Sequence, residues 1–301
     1  MNESKQLDLR GFSGNKIEVI RLEGETFVRK TAKDSSFNFK MEKEVDKIKE
    51  LEKIAKISKN FKIPKIRSVK KNQQGLLVYE LEFVPGESLD VCLYNMNSKK
   101  IKFFAKKLGQ IINELSAKIV VNKLEENFFI LKKFNELDLE LNKKKDSTGI
   151  GKELFNEYSE KIKKLKIKES DLANEGTFCH GDLALDNILI TKRNEIYLID
   201  PLFNDFESVM WDYAKILQSS MTYWNLIKYQ NFQLIPNYKK IIIAPNEHIS
   251  MFHKHFLKNL RDVNPSTILL YLAATLARVA KYAKTDKQLF ALIIIINELL
   301  T

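Results

Sequence analysis

A chain of 301 residues, 44% of them hydrophobic, can bury a substantial core and suits one two-part catalytic unit or two small domains. Its net charge of +11 comes mostly from lysine, 43 residues against 7 arginines, spread over the helical stretches and interleaved with glutamate. That spread, poor in the residue best at reading bases and phosphates, argues for compositional bias and against a nucleic-acid partner.

Cys92 and Cys179 lie far apart without metal-ligand spacing, which fits a reducing, cytoplasmic setting. The N-terminus lacks the apolar core of a signal peptide. The longest apolar run, 289–296, has eight residues, short of the roughly 20 that a membrane helix needs. A buried C-terminal helix is therefore expected, and no membrane partner. His248, His253 and His255 cluster without a second ligand group and read as a helix face, not a zinc site. Nothing in the sequence reports an oligomeric state.

In chain order, residues 16–21 and 25–31 alternate polar and apolar around Gly24 and predict a hairpin. The segment 39–59 carries Met41, Val45, Ile48, Leu51, Ile54 and Ile57 at helical spacing and predicts an amphipathic helix. Strands follow at 64–69 and 75–84 across the Lys71-Asn72-Gln73-Gln74 turn. The second runs into Glu82-Phe83-Val84-Pro85-Gly86, a strand end with a turn. From there the pattern is helical, over 98–118, 122–141 and 150–166, with Asp146-Ser147-Thr148-Gly149 as a break. Trp211-Asp212-Tyr213-Ala214-Lys215 opens another helix, whose Asp212 could be an exposed carboxylate favoured by the helix dipole.

The most informative stretch is Cys179-His180-Gly181-Asp182-Leu183-Ala184-Leu185-Asp186-Asn187-Ile188-Leu189, followed by Ile199-Asp200-Pro201. It sets Asp182, Asn187 and Asp200 among apolar segments that should be buried. Three hard oxygen donors at that spacing suit Mg²⁺ and a phosphate-bearing nucleotide, hence phosphoryl transfer, where positioning and charge neutralisation dominate. Asp182 would orient the attacking hydroxyl and take its proton, Asp200 would be the main metal ligand, and Asn187 would add a neutral oxygen. Each aspartate alone reads as a turn or cap residue. Both loops together do not.

His-Gly-Asp-Leu-x-x-x-Asn-Ile-Leu, then a short hairpin, then Ile-Asp-Pro, resembles the catalytic and metal-binding loops of the aminoglycoside phosphotransferase and choline kinase family. The resemblance implies an α+β, bilobal protein-kinase-like fold. A small, mainly β N-terminal lobe with one helix would span 1–84 and a larger, mainly α C-terminal lobe 85–301. It also implies roles upstream. Lys30 would bind the nucleotide phosphates, although lysine is abundant here. Glu44 would be its carboxylate partner, a better match than Glu42 or Glu50, with Glu42 as fallback. Ser13 and Gly14, in Gly11-Phe12-Ser13-Gly14-Asn15, would cover the phosphates, although the segment departs from the Gly-x-Gly-x-x-Gly form. The Glu82 carbonyl and the Val84 N–H would read the adenine edge, with Leu81 behind. Asp212 would brace the catalytic loop, and His180 would pack within it.

Only eleven residues separate Asp200 from Asp212, too few for the long activation segment with which protein kinases hold a peptide. Gly181 also stands where those enzymes carry an arginine that answers loop phosphorylation. The acceptor should thus be small. The expected activity is an ATP-dependent (alternatively GTP-dependent), Mg²⁺-requiring kinase for a hydroxyl of a sugar, amino alcohol or similar molecule. Ile-Asp-Pro followed by Asp-Tyr-Ala-Lys also resembles kinase-like proteins of polysaccharide pathways. Two alternatives are an aminoglycoside phosphotransferase acting in resistance, for which the net charge advertises no acidic pocket, and a regulatory module that binds nucleotide without transfer. Acceptor contacts are sought among Asp205, Glu207, Trp211, Tyr223, Trp224, Glu247 and Asp262, the aromatics being equally suited to the core.

Overall fold

A computed structural model describes residues 7–8, 15–22, 24–122, 125–144, 149–173, 175–244, 246–260 and 263–301. By Cα proximity the chain groups into two compact units, Met1–Cys92 with Asp186–Phe203, and Leu93–Leu185 with Asn204–Thr301.

The first unit is built on a five-stranded antiparallel sheet. Its strands are β1 (Leu7–Asp8), β2 (Lys16–Leu22), β3 (Glu25–Thr31), β4 (Ile66–Lys71) and β5 (Leu77–Glu82), in the order β1-β2-β3-β5-β4. Helix α1 (Asn38–Ile57) packs on it through Met41, Val45, Ile48 and Leu51, each at most 2% exposed. The expected stripe is cut short, because Ile57 is 88% exposed at the last turn. The Asn38 side chain fixes the start of α1 to the β4–β5 hairpin: its amide nitrogen donates to the Gly75 carbonyl and its oxygen accepts from the Leu77 N–H.

Strand order puts two chemistries on the two faces of this sheet. Opposite β3 and β5, Arg29 faces Glu80 and Lys30 faces Tyr79, and adjacent pairs must point to opposite sides. On one side Arg29 pairs with Glu80 at 2.7 Å, and Arg29 and Arg67 sit over the Phe27 ring. On the other, Lys30 and Tyr79 face α1.

A second, three-stranded sheet runs β6 (Gly86–Ser88), β7 (Ile188–Thr191), β8 (Ile196–Leu198), with α2 (Leu89–Cys92) after β6. The strand β6 occupies what reads in the sequence as a simple turn. Pairing of Gly86 with Thr191 draws the 186–203 hairpin into the first unit, whereas the sequence division at residue 84 leaves it with the helical part. A Cβ at 86 would lie 3.1 Å from the Ile190 carbonyl oxygen, so a side chain there would require β7 to give by a few tenths of an ångström.

The second unit is helical: α3 (Ser98–Ser116), α4 (Glu126–Asn142), α5 (Ile150–Lys164), α6 (Met210–Ser220), α7 (Trp224–Lys228), α8 (Glu247–Leu257), α9 (Pro265–Ala280) and α10 (Asp286–Leu299), with a small hairpin of β9 (Gln233–Ile235) and β10 (Lys240–Ile242). Helix α9 lies against α4, α6 and α10, and α3 lies against α8. Hence α9 and α10 are apolar nearly all round, and residues 291–296 are each at most 8% exposed, as their eight-residue run implies. Burying one such Leu or Ile contributes roughly 1.5–3 kcal/mol. Among the described residues no helix is long and apolar enough to cross a membrane.

Candidate active site

The catalytic motif falls into two groups of side chains, one in each unit. In the first unit, Lys30 and Glu44 are 7% and 8% exposed, and the Lys30 ammonium donates to Glu44 Oε1 at 2.5 Å. The Tyr79 hydroxyl donates to the same oxygen at 2.6 Å, and Asp200 Oδ1 lies 3.5 Å from Lys30 Nζ. The register explains the meeting: Lys30 and Tyr79 are cross-strand partners on the face that α1 covers, and Glu44 projects from the first half of that helix. Glu42 points elsewhere, 3.8 Å from Lys71, and Glu50 pairs with Lys53 in solvent.

Burial works against the Lys30 charge. Asp200, then Tyr79 and Glu44, outweigh it and hold the ammonium pKa well above its ordinary value. Burial also raises the Glu44 carboxyl, with Lys30 opposing the rise.

Asn187 and Asp200 flank the β7–β8 hairpin, and the Ile199 N–H donates to the Asn187 carbonyl at 3.0 Å, tying the two segments together. Asp200 has φ +54°, a left-handed conformation that Asp tolerates better than most residues. The Lys47 ammonium, on α1, donates to the Leu202 carbonyl at 2.7 Å and holds the chain just beyond. On β5, the Glu82 N–H donates to the Lys65 carbonyl, and Val84 is buried with its carbonyl taken by the Gly86 N–H. Among the described residues the Val84 N–H donates to no backbone carbonyl. Ser13 and Gly14 lie outside the described residues.

In the second unit, the loop that carries Asp182 is bound to α6 by one carboxylate. Asp212 is fully buried, and its two oxygens accept the His180 and Gly181 N–H groups, each at 2.7 Å. It is a brace, not an exposed helix-end charge. Gly181 has φ +85°, so the tight corner between His180 and Asp182 asks for a residue without a Cβ. His180, Leu183 and Leu185 are at most 1% exposed and anchor the loop from within.

Asp182 is met by two cations. Lys215 Nζ lies 2.8 Å and Arg278 Nη2 3.5 Å from Asp182 Oδ1. Burial would raise its carboxyl pKa, but Lys215 and then Arg278 overcome this and hold it down to about 2. A carboxylate so acidic stays ionised and can accept a hydrogen bond from a hydroxyl at any physiological pH.

Lys215 and Arg278 escape a motif-based reading. Lys215 follows Asp212 by three positions, the spacing that places both on one face of α6. Arg278 is one of only 7 arginines and stands in an otherwise apolar helix, a signal the composition makes visible. Of the aromatics sought for the acceptor, Trp211 belongs to the core. Trp211 is 5% exposed, edge-on to Phe129 at 5.6 Å and 4.3 Å from Tyr271. Glu207 is buried, accepting from the Asn204 N–H and from Cys179 Sγ. Asp262 lies outside the described residues. Neither Cys92 nor Cys179 forms a disulfide among the described residues, and His253 meets Ser220 Oγ at 3.2 Å. No group of three or more His, Cys, Asp or Glu that could hold a metal occurs among the described residues.

Residues 9–230 match the phosphotransferase enzyme family. No curated protein gives a significant match. Among solved structures the chain is similar to an aminoglycoside 2′-phosphotransferase IIIa variant in complex with GDP, at TM-score 0.64 and 15% identity over 98% of this chain and 91% of that one. A thermostable aminoglycoside phosphotransferase APH(4)-Ia, in ternary complex with AMP-PNP and hygromycin B, aligns at TM-score 0.60 and 9% identity over 99% and 93%. Choline kinase from Cryptosporidium parvum Iowa II aligns at TM-score 0.55 and 17% identity over 97% and 87%. At such identities the likeness is one of fold, the protein-kinase-like α+β architecture expected from the sequence. With the family match spanning most of the chain and the His-Gly-Asp loop inside it, the chain belongs to the phosphotransferase enzyme family and is a phosphotransferase acting on a hydroxyl acceptor.

Proposed function

We propose that this phosphotransferase is an ATP-dependent, Mg²⁺-requiring kinase that transfers a γ-phosphoryl group to a hydroxyl of a small acceptor such as a sugar or amino alcohol. Lys30, held charged by Asp200, Tyr79 and Glu44, binds the nucleotide phosphates. The Glu82 carbonyl and the Val84 N–H read the adenine edge. Asp200 and Asn187 hold the metal, and Asp182 orients the hydroxyl. The observation that carries the reading is the convergence of Lys30, Glu44 and Asp200, from three separate segments, into one ion cluster around the buried Lys30–Glu44 pair.

The donor set fits Mg²⁺: one carboxylate and one amide oxygen, both hard, with no protein cage of several acids. Such a site relies on phosphate oxygens to complete the shell. When bound, the metal would neutralise charge on the β- and γ-phosphates. The chain's own part is to keep Lys30 protonated, to place Asp200 at the end of β8, and to fix the Asp182 loop through Asp212.

The GDP and AMP-PNP named in similar structures support a purine nucleotide donor, with GTP as the alternative to ATP. Intact Asp182, Asn187 and Asp200 speak against a non-catalytic module. The test is ADP release, with a mass shift of the acceptor, over choline, ethanolamine, hexoses, amino sugars and aminoglycosides. One acceptor should gain a phosphoryl group with wild type and not with Asp182→Ala. Equal turnover by the two proteins would refute the role of Asp182.

A further inference from the structure

We infer that the paired helices α3 and α8 form a peripheral docking face for an anionic lipid surface, with lysine ammonium groups at the phosphate headgroups and the Phe103 ring at the acyl boundary. The inference goes beyond the kinase reading and does not rest on it. No helix among the described residues is long and apolar enough to cross a membrane, so the contact runs along the surface.

Both helices belong to the second unit. On other helices lysine and glutamate are interleaved and meet: Lys53 pairs with Glu50 and Lys56 with Glu52 on α1, and Lys163 with Glu160 on α5. Helix α3 departs from that pattern, since no acidic residue occurs from 98 to 113, and none occurs from 248 to 258 on and after α8. Lys99, Lys102, Lys106, Lys254 and Lys258 are all exposed and make no ion pair among the described residues.

Packing sets the two lysine rows side by side. The Asn259 side chain, just past α8, donates to the Ala105 carbonyl at 3.3 Å, and a Cβ on Gly109 would come within 2.7 Å of the Asn259 Cβ, so the glycine lets the helices close here. Lys99, Lys102 and Lys106 follow one another at helical spacing on the outer side of α3. His255 marks the seam. Burial, and then Lys258, Lys102 and Lys254, hold its imidazole below the ordinary histidine range, which requires cations of both helices close by. Phe103 stands in the same row, 47% exposed, with Lys107 Nζ 5.8 Å from its ring centre. Like charges on adjoining helices repel one another, and an external anionic surface relieves that cost. An exposed ring between flexible ammonium stems has the composition of an interfacial face, whereas base and phosphate reading favours arginine, which neither helix contains.

The test is flotation of the full chain with phosphatidylcholine vesicles, with and without phosphatidylglycerol, at about 0.1 M and about 1 M salt. Wild type is compared with Phe103→Ala, with the triple variant Lys99→Gln, Lys102→Gln, Lys106→Gln, and with a control triple variant on α1, Lys49→Gln, Lys53→Gln, Lys56→Gln, which lowers the net charge equally. All six lysines are exposed, so Tm should be unchanged in both triple variants. Wild type should float only with phosphatidylglycerol and be released at high salt. Each lysine at the surface contributes roughly fivefold, so the α3 variant should lose roughly a hundredfold in partitioning while the α1 variant keeps most of it. Phe103→Ala should lose roughly tenfold. Absence of flotation, flotation that ignores phosphatidylglycerol, or equal loss in the two triple variants overturns the inference, the last because net charge alone would then account for binding. Retention of a DNA duplex through the α3 lysines, with Phe103→Ala unaffected and no vesicle binding, also overturns it and makes the face one for nucleic acid. Acceptor phosphorylation measured in parallel should be unchanged in the α3 variant. Vesicle binding without phosphorylation of any acceptor would remove the kinase and keep the docking face, and phosphorylation without vesicle binding would do the reverse.

Discussion

The two ion clusters, one in each unit, have opposite charge balance. Around Lys30 one cation is shared by Glu44 and Asp200, leaving an excess of negative charge. Around Asp182 one carboxylate is shared by Lys215 and Arg278, with Lys133 close by, leaving an excess of positive charge. Buried charge is tolerated when it is matched, so the negative excess of the first cluster is in keeping with the cation-bearing nucleotide of the proposed reaction. A single lysine–carboxylate contact therefore carries little functional meaning until its neighbours are counted.

The largest expected effect separates the clusters by ligand. Asp182→Ala and Asp200→Ala should each lower turnover by roughly 10²–10⁴-fold, but nucleotide binding, measured by calorimetry, should weaken mainly in Asp200→Ala. Equal weakening in both would erase the division. Next, Asp212→Ala removes the acceptor of two buried N–H groups and should cost roughly 3 kcal/mol in denaturant unfolding, with loss of activity. A loss below about 0.5 kcal/mol would show that the loop holds itself.

Acid should distinguish the clusters by sign. The Asp182 carboxyl is depressed in the folded chain, so its contribution, about 2 kcal/mol, is complete above the unfolded value near 4 and fades as pH falls through about 2. The stability gap between wild type and Asp182→Asn should close over that window. Lys30 is raised, so its contribution is present below the ordinary lysine range and is lost only as pH climbs past the folded value. The smallest effect concerns the helix glutamates: Glu42→Gln should change stability by no more than about 0.5 kcal/mol, whereas Glu44→Gln should cost several times that and raise the nucleotide KM. Similar outcomes for both would remove Glu44 from the cluster.

What could be read from residues alone followed the strength of local pattern. Strands β2 and β3 and helix α1 were legible from periodicity, and Glu44 could be preferred to Glu42 because it lies beside the buried stripe. Asp182, Asn187 and Asp200 stood out because their spacing joins two loops. The strand β6 was not legible, since three residues ending in Gly-Glu-Ser have no period and owe their conformation to β7, a hundred positions on. Lys215 and Lys133 were hidden for a different reason. In a chain with 43 lysines one more carries no mark, and only the packing of α4, α6 and α9 brings them together with Arg278. Ile57 shows the converse, an apolar residue in phase with its helix that nevertheless reaches solvent.

Lys133 has a consequence for chemical reactivity. An amine whose pKa burial and then Arg278 lower to about 8 is unprotonated at neutral pH in a fraction on the order of a hundredfold larger than an ordinary lysine. Acylating reagents in short exposure should thus modify it ahead of the exposed lysines that outnumber it.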